Sequence, residues 1–229
     1  MIVVLTACAG HIKEFTSISS PFQSIARSFT LDSLSVIAYP YAMNATLLQS
    51  AFEQSLPYDR YLETDPGRAG AWRSVEKSVR ITSEQETLLK SFVRHMPVLV
   101  VSGVWCGDCA QQGPMLHAIA KACPQIDLRW IDRDARPDLT EHTKVCGGAR
   151  VPVVVWMAED FEFVSMLGDR TLSRYRSIAR KQLGFTCPMP GVALPADEGA
   201  ETLQEWLNEF ERVQLLLRLS GRLRQKHGD

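Results

Sequence analysis

The stretch that most constrains this chain is Trp105-Cys106-Gly107-Asp108-Cys109. It lies between the apolar run Val98-Leu99-Val100-Val101 and a helical stretch from Ala110 to Ala122. A strand that delivers a C-x-x-C pair to the start of a helix is a redox arrangement with a direct physical basis. The first turn of a helix carries unpaired N–H groups and the positive end of the helix dipole, so a cysteine placed there is favoured as thiolate. A second cysteine three positions on lies one turn along the helix and can close a disulfide with the first.

These five residues resemble the W-C-G-x-C motif of the thioredoxin superfamily, and further features match it. Pro114 stands five residues after the second cysteine, where thioredoxins carry a kinking proline. Val151-Pro152 opens the apolar run Val153-Val154-Val155-Trp156. It resembles the family's cis-proline, which packs against the active site and offers backbone groups to substrates, and Gly168 resembles the glycine that closes the following strand. The resemblance covers residues 83–183 and implies an α/β thioredoxin-like fold, a central mixed sheet flanked by helices. Extra helical segments are expected at the N-terminal and C-terminal sides. It also implies a thiol–disulfide oxidoreductase, working as a protein disulfide reductase through a Cys106–Cys109 dithiol/disulfide. Cys106 would attack a substrate disulfide, Cys109 would resolve the mixed disulfide, and Trp105, Val151 and Pro152 would meet the substrate. The expected partners are a protein or small-molecule disulfide and an upstream reductase, with no cofactor beyond the redox-active disulfide and no metal. Two alternatives stand beside this reading: an interaction module that uses the fold as a docking surface, and a redox sensor without catalytic turnover.

Two departures from the family pattern matter. Thioredoxin has a buried aspartate six residues before the first cysteine, and that position here is Val100. Thioredoxin also has proline between the cysteines, where this chain has Asp108. A like charge disfavours a thiolate by about 1 kcal/mol at surface distances. The helix terminus favours it by about 0.3–1 kcal/mol. The two nearly cancel, which predicts a Cys106 that is not strongly acidified and a reductant rather than a strong oxidant. Asp108 is in addition a candidate for proton handling at Cys109, in place of the absent aspartate; its plain alternative is an exposed residue near the helix start.

The remaining cysteines are Cys8, Cys123, Cys146 and Cys187, without a regular framework, which suits a reducing cytosol better than a disulfide-stapled secreted domain. Cys146 is expected to be a buried, inert thiol. A net charge of −1 gives no field to draw nucleic acid, and no apolar run approaches a membrane span. Leu5-Thr6-Ala7-Cys8 resembles a lipobox that would anchor the chain through Cys8. Its apolar stretch is far too short for a signal sequence, so a cytoplasmic location is expected.

The organisation expected is a poorly organised extension or mis-assigned start at 1–42, a helical appendage at 43–82 and the thioredoxin-like domain at 83–184. A linker at 185–198 and an amphipathic helix at 199–229 follow. In the appendage, Tyr58, Tyr61 and Trp72 are expected to pack. Ser83-Glu84-Gln85-Glu86 reads as a capping box opening a helix through about His95. His117 is expected at the surface, and a helix from Pro137 is expected to reach about Val145. Leu203, Trp206, Leu207, Phe210, Val213 and Leu217 form a stripe that either docks on the domain or forms the seam of a homodimer.

Overall fold

The computed structural model describes residues 43–183 and 197–229. The expectations for 1–42, for Cys8 and for the proline-rich stretch 185–195 fall outside them. The strands are β1 (Met96–Ser102), β2 (Ile126–Asp132), β3 (Val153–Met157) and β4 (Phe163–Gly168). The helices before the motif are α1 (Ala45–Gln54), α2 (Tyr58–Leu62), α3 (Ala69–Glu76) and α4 (Ser83–Lys90). After it come α5 (Gly107–Ala122), α6 (Pro137–His142), α7 (Leu172–Leu183), α8 (Glu198–Leu219) and α9 (Gly221–His227).

The strands form one mixed sheet in the order β2-β1-β3-β4. Every residue of β1 is buried, as its unbroken Val/Leu content requires of a central strand covered on both faces. It runs parallel to β2, with Val98 opposite Leu128 and Ser102 opposite Asp132. Parallel neighbours need a crossover, and α5 supplies it. On the other side β1 pairs antiparallel with β3, Val100 facing Val154, and β3 pairs antiparallel with β4. This is the mixed, helix-flanked sheet that the motif implied.

The aromatics before the motif are core. Trp72 of α3 meets Trp130 of β2 edge-on at 5.5 Å, and Tyr61 of α2 stacks on the same indole at 5.8 Å. Trp72 comes so close to α5 that a Cβ at Gly113 would lie 2.0 Å from the indole, so only glycine fits there. Just before α2, Leu56 exchanges both backbone hydrogen bonds with Trp130 at 2.8 Å, covering part of the outer edge of β2.

The stripe on α8 is spent inside the chain. Leu203, Trp206, Leu207, Phe210, Val213 and Leu217 are all buried, with Phe210 edge-on to Trp156 of β3 at 5.4 Å. The stripe thus docks on the domain, and the leucines that α8 leaves exposed are Leu215, Leu216 and Leu219. Glu205 reaches from α8 to the start of α7, where both carboxylate oxygens accept from the Ser173 N–H at 3.0 Å.

Several boundaries differ from those expected. The helix from residue 83 stops at Lys90 rather than His95, because the chain must straighten to enter β1 at Met96, with Pro97 already in the strand. Its cap lies one residue earlier: Thr82 Oγ1 accepts from Gln85 N–H while the Gln85 side chain accepts from Thr82 N–H. Helix α6 ends at His142, since Val145 is taken up in a tight turn with Gly148. Among the described residues, no helix is long and apolar enough to cross a membrane.

Candidate active site

Cys106 is the N-cap of α5. Its backbone is extended, and its Sγ accepts a hydrogen bond from the Cys109 N–H at 3.5 Å. The same Sγ lies 3.6 Å from the carbonyl oxygen of Val151. That contact brings the loop before β3 against the cysteine, and the Val151–Pro152 peptide bond is cis. Gly168, at the end of β4, backs this loop, since a Cβ there would lie 2.7 Å from the Val153 side chain and 3.0 Å from the Pro152 carbonyl. Both cysteines are free thiols; Cys106 is half-buried and Cys109 is fully buried.

The two thiols are therefore unlike. The Cys106 thiol is lowered to about 6, chiefly by the hydrogen bond from the Cys109 side chain and then by the backbone N–H groups of Cys109 and Asp108. Burial and the Asp108 charge oppose this and lose. Burial pushes the Cys109 thiol up, and the neighbouring Cys106 adds to the effect. The pair's first proton thus leaves well below the usual thiol range and the second well above it.

This overturns the expected cancellation between helix terminus and Asp108, and Asp108 itself shows why. Its carboxylate is largely buried and turned away to two arginines, Arg170 at 2.5 Å and Arg174 at 3.2 Å. Arg174 also holds Glu198 of α8 at 2.9 Å, and Arg170 holds Asp169 at 2.9 Å. The carboxylate is thus structural and compensated. The exposed Asp108 expected as its plain role is not found, and its two oxygens accept from Arg170 and Arg174. Asp108→Asn is expected to cost about 1–3 kcal/mol of stability, since it strips the anion from two partly buried guanidinium groups. It is expected at the same time to make Cys106 slightly more reactive by removing a like charge. Denaturant melts and alkylation rates on the same variant check both signs; a variant that is more stable would contradict the network.

Trp105 is 39% exposed, and the Arg133 guanidinium lies over its ring, 4.6 Å from the centroid. Arg133 is fixed there by a hydrogen bond to the Ala149 carbonyl at 2.9 Å. Cys106 thus meets the Val151–Pro152 loop, with the exposed Trp105 beside it in the chain and Cys109 buried one turn on. Arg133, Arg170 and Arg174 carried no sequence signal, because each reaches the motif from a distant segment. Two other expectations fail. Cys146 is exposed, with φ of 50° in the turn closed by Val145 and Gly148. His117 is half-buried and stacks on Tyr58 at 4.0 Å, with burial lowering its pKa. Val100 is fully buried, so no carboxylate lies at that position under the pair. Among the described residues, no three His, Cys, Asp or Glu side chains are grouped to hold a metal ion.

A mixed sheet, a dithiol at a helix start and a cis-proline loop against the outer sulfur define the thioredoxin-like class of protein. The thioredoxin family model matches residues 55–174, just over half of the chain, and the protein belongs to that family. Among solved structures, it is similar to an HIV epitope-scaffold at 17% identity, with 72% of this chain and 95% of the other covered and a TM-score of 0.55. It is similar to the same extent to a protein of unknown function from Pseudomonas aeruginosa, at 15% identity, with the same coverages and a TM-score of 0.54. The oxidised mitochondrial thioredoxin 3 of Saccharomyces cerevisiae aligns at 20% identity over 47% of this chain and 98% of its own, with a TM-score of 0.30. None of the curated proteins matches the sequence. Family membership points to a redox-related function.

Proposed function

We propose that this protein is a thiol–disulfide oxidoreductase acting as a protein disulfide reductase, with Cys106 as nucleophile and Cys109 as resolving thiol. The observation that carries this is the asymmetry of the pair: a half-buried, acidified Cys106 at the helix start and a buried, protonated Cys109 one turn on. A thiol near 6 is mostly thiolate at neutral pH, yet it stays above the value of about 3.5 found in the strong oxidant of this fold. It attacks well and also leaves well, and turnover requires both. The Cys106 thiolate would attack one sulfur of a substrate disulfide and release the other as a thiolate. Cys109 would then attack Cys106 Sγ, releasing the reduced substrate and leaving a Cys106–Cys109 disulfide for an upstream reductase. Trp105 and the backbone at Val151 and Pro152 would hold the substrate segment.

The direct test is the redox equilibrium of the pair against a graded dithiothreitol or glutathione series, with alkylation and mass spectrometry to locate the disulfide. A disulfide between Cys106 and Cys109 at a reducing potential supports the proposal; no disulfide at any poise overturns it. The pH dependence of Cys106 is a second expectation. A lowered pKa means the reactive thiolate is lost as pH falls through about 6, not through the ordinary range near 8.5. Iodoacetamide alkylation of Cys106 should therefore rise with pH to a plateau already reached near neutrality. A rate still climbing steeply at pH 8 would contradict the asymmetry.

A further inference from the structure

A groove of about 410 Å³ opens beside Trp105, and its walls come from three separate segments of the chain. Leu56 precedes α2 and Asp65 lies in the turn after it, Val104 and Trp105 lead into α5, and Ile131 and Asp132 end β2. Leu56 is fixed in this wall by the backbone hydrogen bonds it exchanges with Trp130. The walls are mainly apolar, and the charges on them have one sign. Among the described residues, no lysine or arginine lines the groove, whereas Asp65 and Asp132 do. Asp65 meets Arg68 only at 3.6 Å, longer than a hydrogen bond, and both side chains are open to solvent. Asp132 gives one carboxylate oxygen to the Asp134 N–H at 2.8 Å and keeps the other. Arg133, over the Trp105 ring, is already bound to the Asp134 carboxylate at 2.9 and 3.3 Å. Asp65, Asp132 and Asp134 against Arg68 and Arg133 leave one negative charge in excess. The occupant that matches such a groove has an apolar body and a positive end. Lysine and arginine side chains are built that way, with methylenes that cover apolar surface and a charge kept at the wet end.

We propose that this groove is a substrate subsite that takes a lysine or arginine side chain lying close in sequence to the disulfide under attack. Its stem packs on Leu56 and Trp105, and its cation meets Asp65 and Asp132. The subsite rests on the dithiol reading above. Trp105 joins the groove to the chemistry, since it forms part of the wall and is the residue bonded to Cys106. An extended segment advances about 3.3–3.6 Å per residue, so a side chain within a few positions of the attacked cysteine reaches the groove. The subsite makes the protein selective: disulfides flanked by basic residues are reduced ahead of those flanked by acidic ones. The Cys106 thiolate attracts a cation as well, and Asp65 separates the two effects because it comes from a segment remote from the motif.

The test uses the full chain, reduced, in single-turnover reactions with disulfide-linked dimers of one short peptide, quenched in acid and alkylated for counting. The peptide carries lysine, norleucine or glutamate two residues to each side of its cysteine and is otherwise uncharged. Below saturation, the unaltered protein is expected to reduce the lysine peptide about threefold faster than the norleucine peptide, the scale of a partly exposed charge pair. Over the glutamate peptide the preference should reach about tenfold, since attraction gives way to repulsion, and both ratios should shrink with added salt. Asp65→Asn should narrow the lysine preference, and Asp65→Lys should place the glutamate peptide first. Each ratio is read within one protein, so a general loss of activity in a variant cancels. Equal rates for lysine and glutamate peptides in the unaltered protein overturn the subsite. A lysine preference undiminished in Asp65→Lys overturns it too, and assigns the preference to the thiolate. Failure of the unaltered protein to reduce bis(2-hydroxyethyl) disulfide, which is uncharged and carries no side chain for the groove, overturns the dithiol reading itself, and the subsite with it.

Discussion

Replacing Cys106 by serine is expected to lower reduction of a model disulfide protein by roughly three orders of magnitude or more, because the reaction loses its nucleophile. Cys109→Ser should behave differently. The outer thiol still attacks, but nothing resolves the product, so a stable mixed disulfide at Cys106 should accumulate and be seen by mass spectrometry. The contrast between the two variants follows from geometry: the sulfur against the Val151 carbonyl is half-open, and the other is closed off. Full activity in Cys106→Ser would end the assignment.

The second large effect is expected far from the cysteines in sequence. Trp72→Ala should cost about 3–5 kcal/mol, the usual range for emptying a large aromatic site in a core. Trp72 is fully buried against Trp130 and Gly113, and its indole N–H donates to the Val104 carbonyl at 3.0 Å, two residues before Cys106. Trp72→Phe fills most of the volume but loses that donor, and a smaller cost is expected. Urea unfolding of the three proteins measures both. A loss below about 1 kcal/mol for the alanine variant would mean that α3 does not share the core's cooperative unit.

Much of this was legible in the residues. Val98–Val101 could only be a central strand, and Cys106 to Cys109 could only open the helix that follows. The packing of Tyr58, Tyr61 and Trp72 was likewise visible in their apolar bulk. What failed did so for identifiable reasons. Leu88, Leu89 and Phe92 keep a helical period past Lys90, because helix and connector are both pressed into one core, and period cannot separate them. Thr82 and Ser83 each begin a capping pattern, and only the backbone shows which one is extended. The charge argument at Asp108 counted the motif alone. Arg170, from the connection between β4 and α7, and Arg174, from α7, compensate the carboxylate and leave the thiolate to the helix terminus and to Cys109.

The amide of Gln112 lies fully buried in α5. Its nitrogen donates to the Asp169 carbonyl at 3.1 Å, and its oxygen accepts from the Trp206 indole at 3.2 Å. A growing polypeptide emerges N-terminus first, so the helix that carries the dithiol is made long before the indole that satisfies its interior. Until residue 206 has left the ribosome, that amide lacks its last partner and the thiols stand over an unfinished floor. The order of synthesis therefore sets when the nascent chain gains a settled redox centre, and that moment comes only after Trp206 has been made.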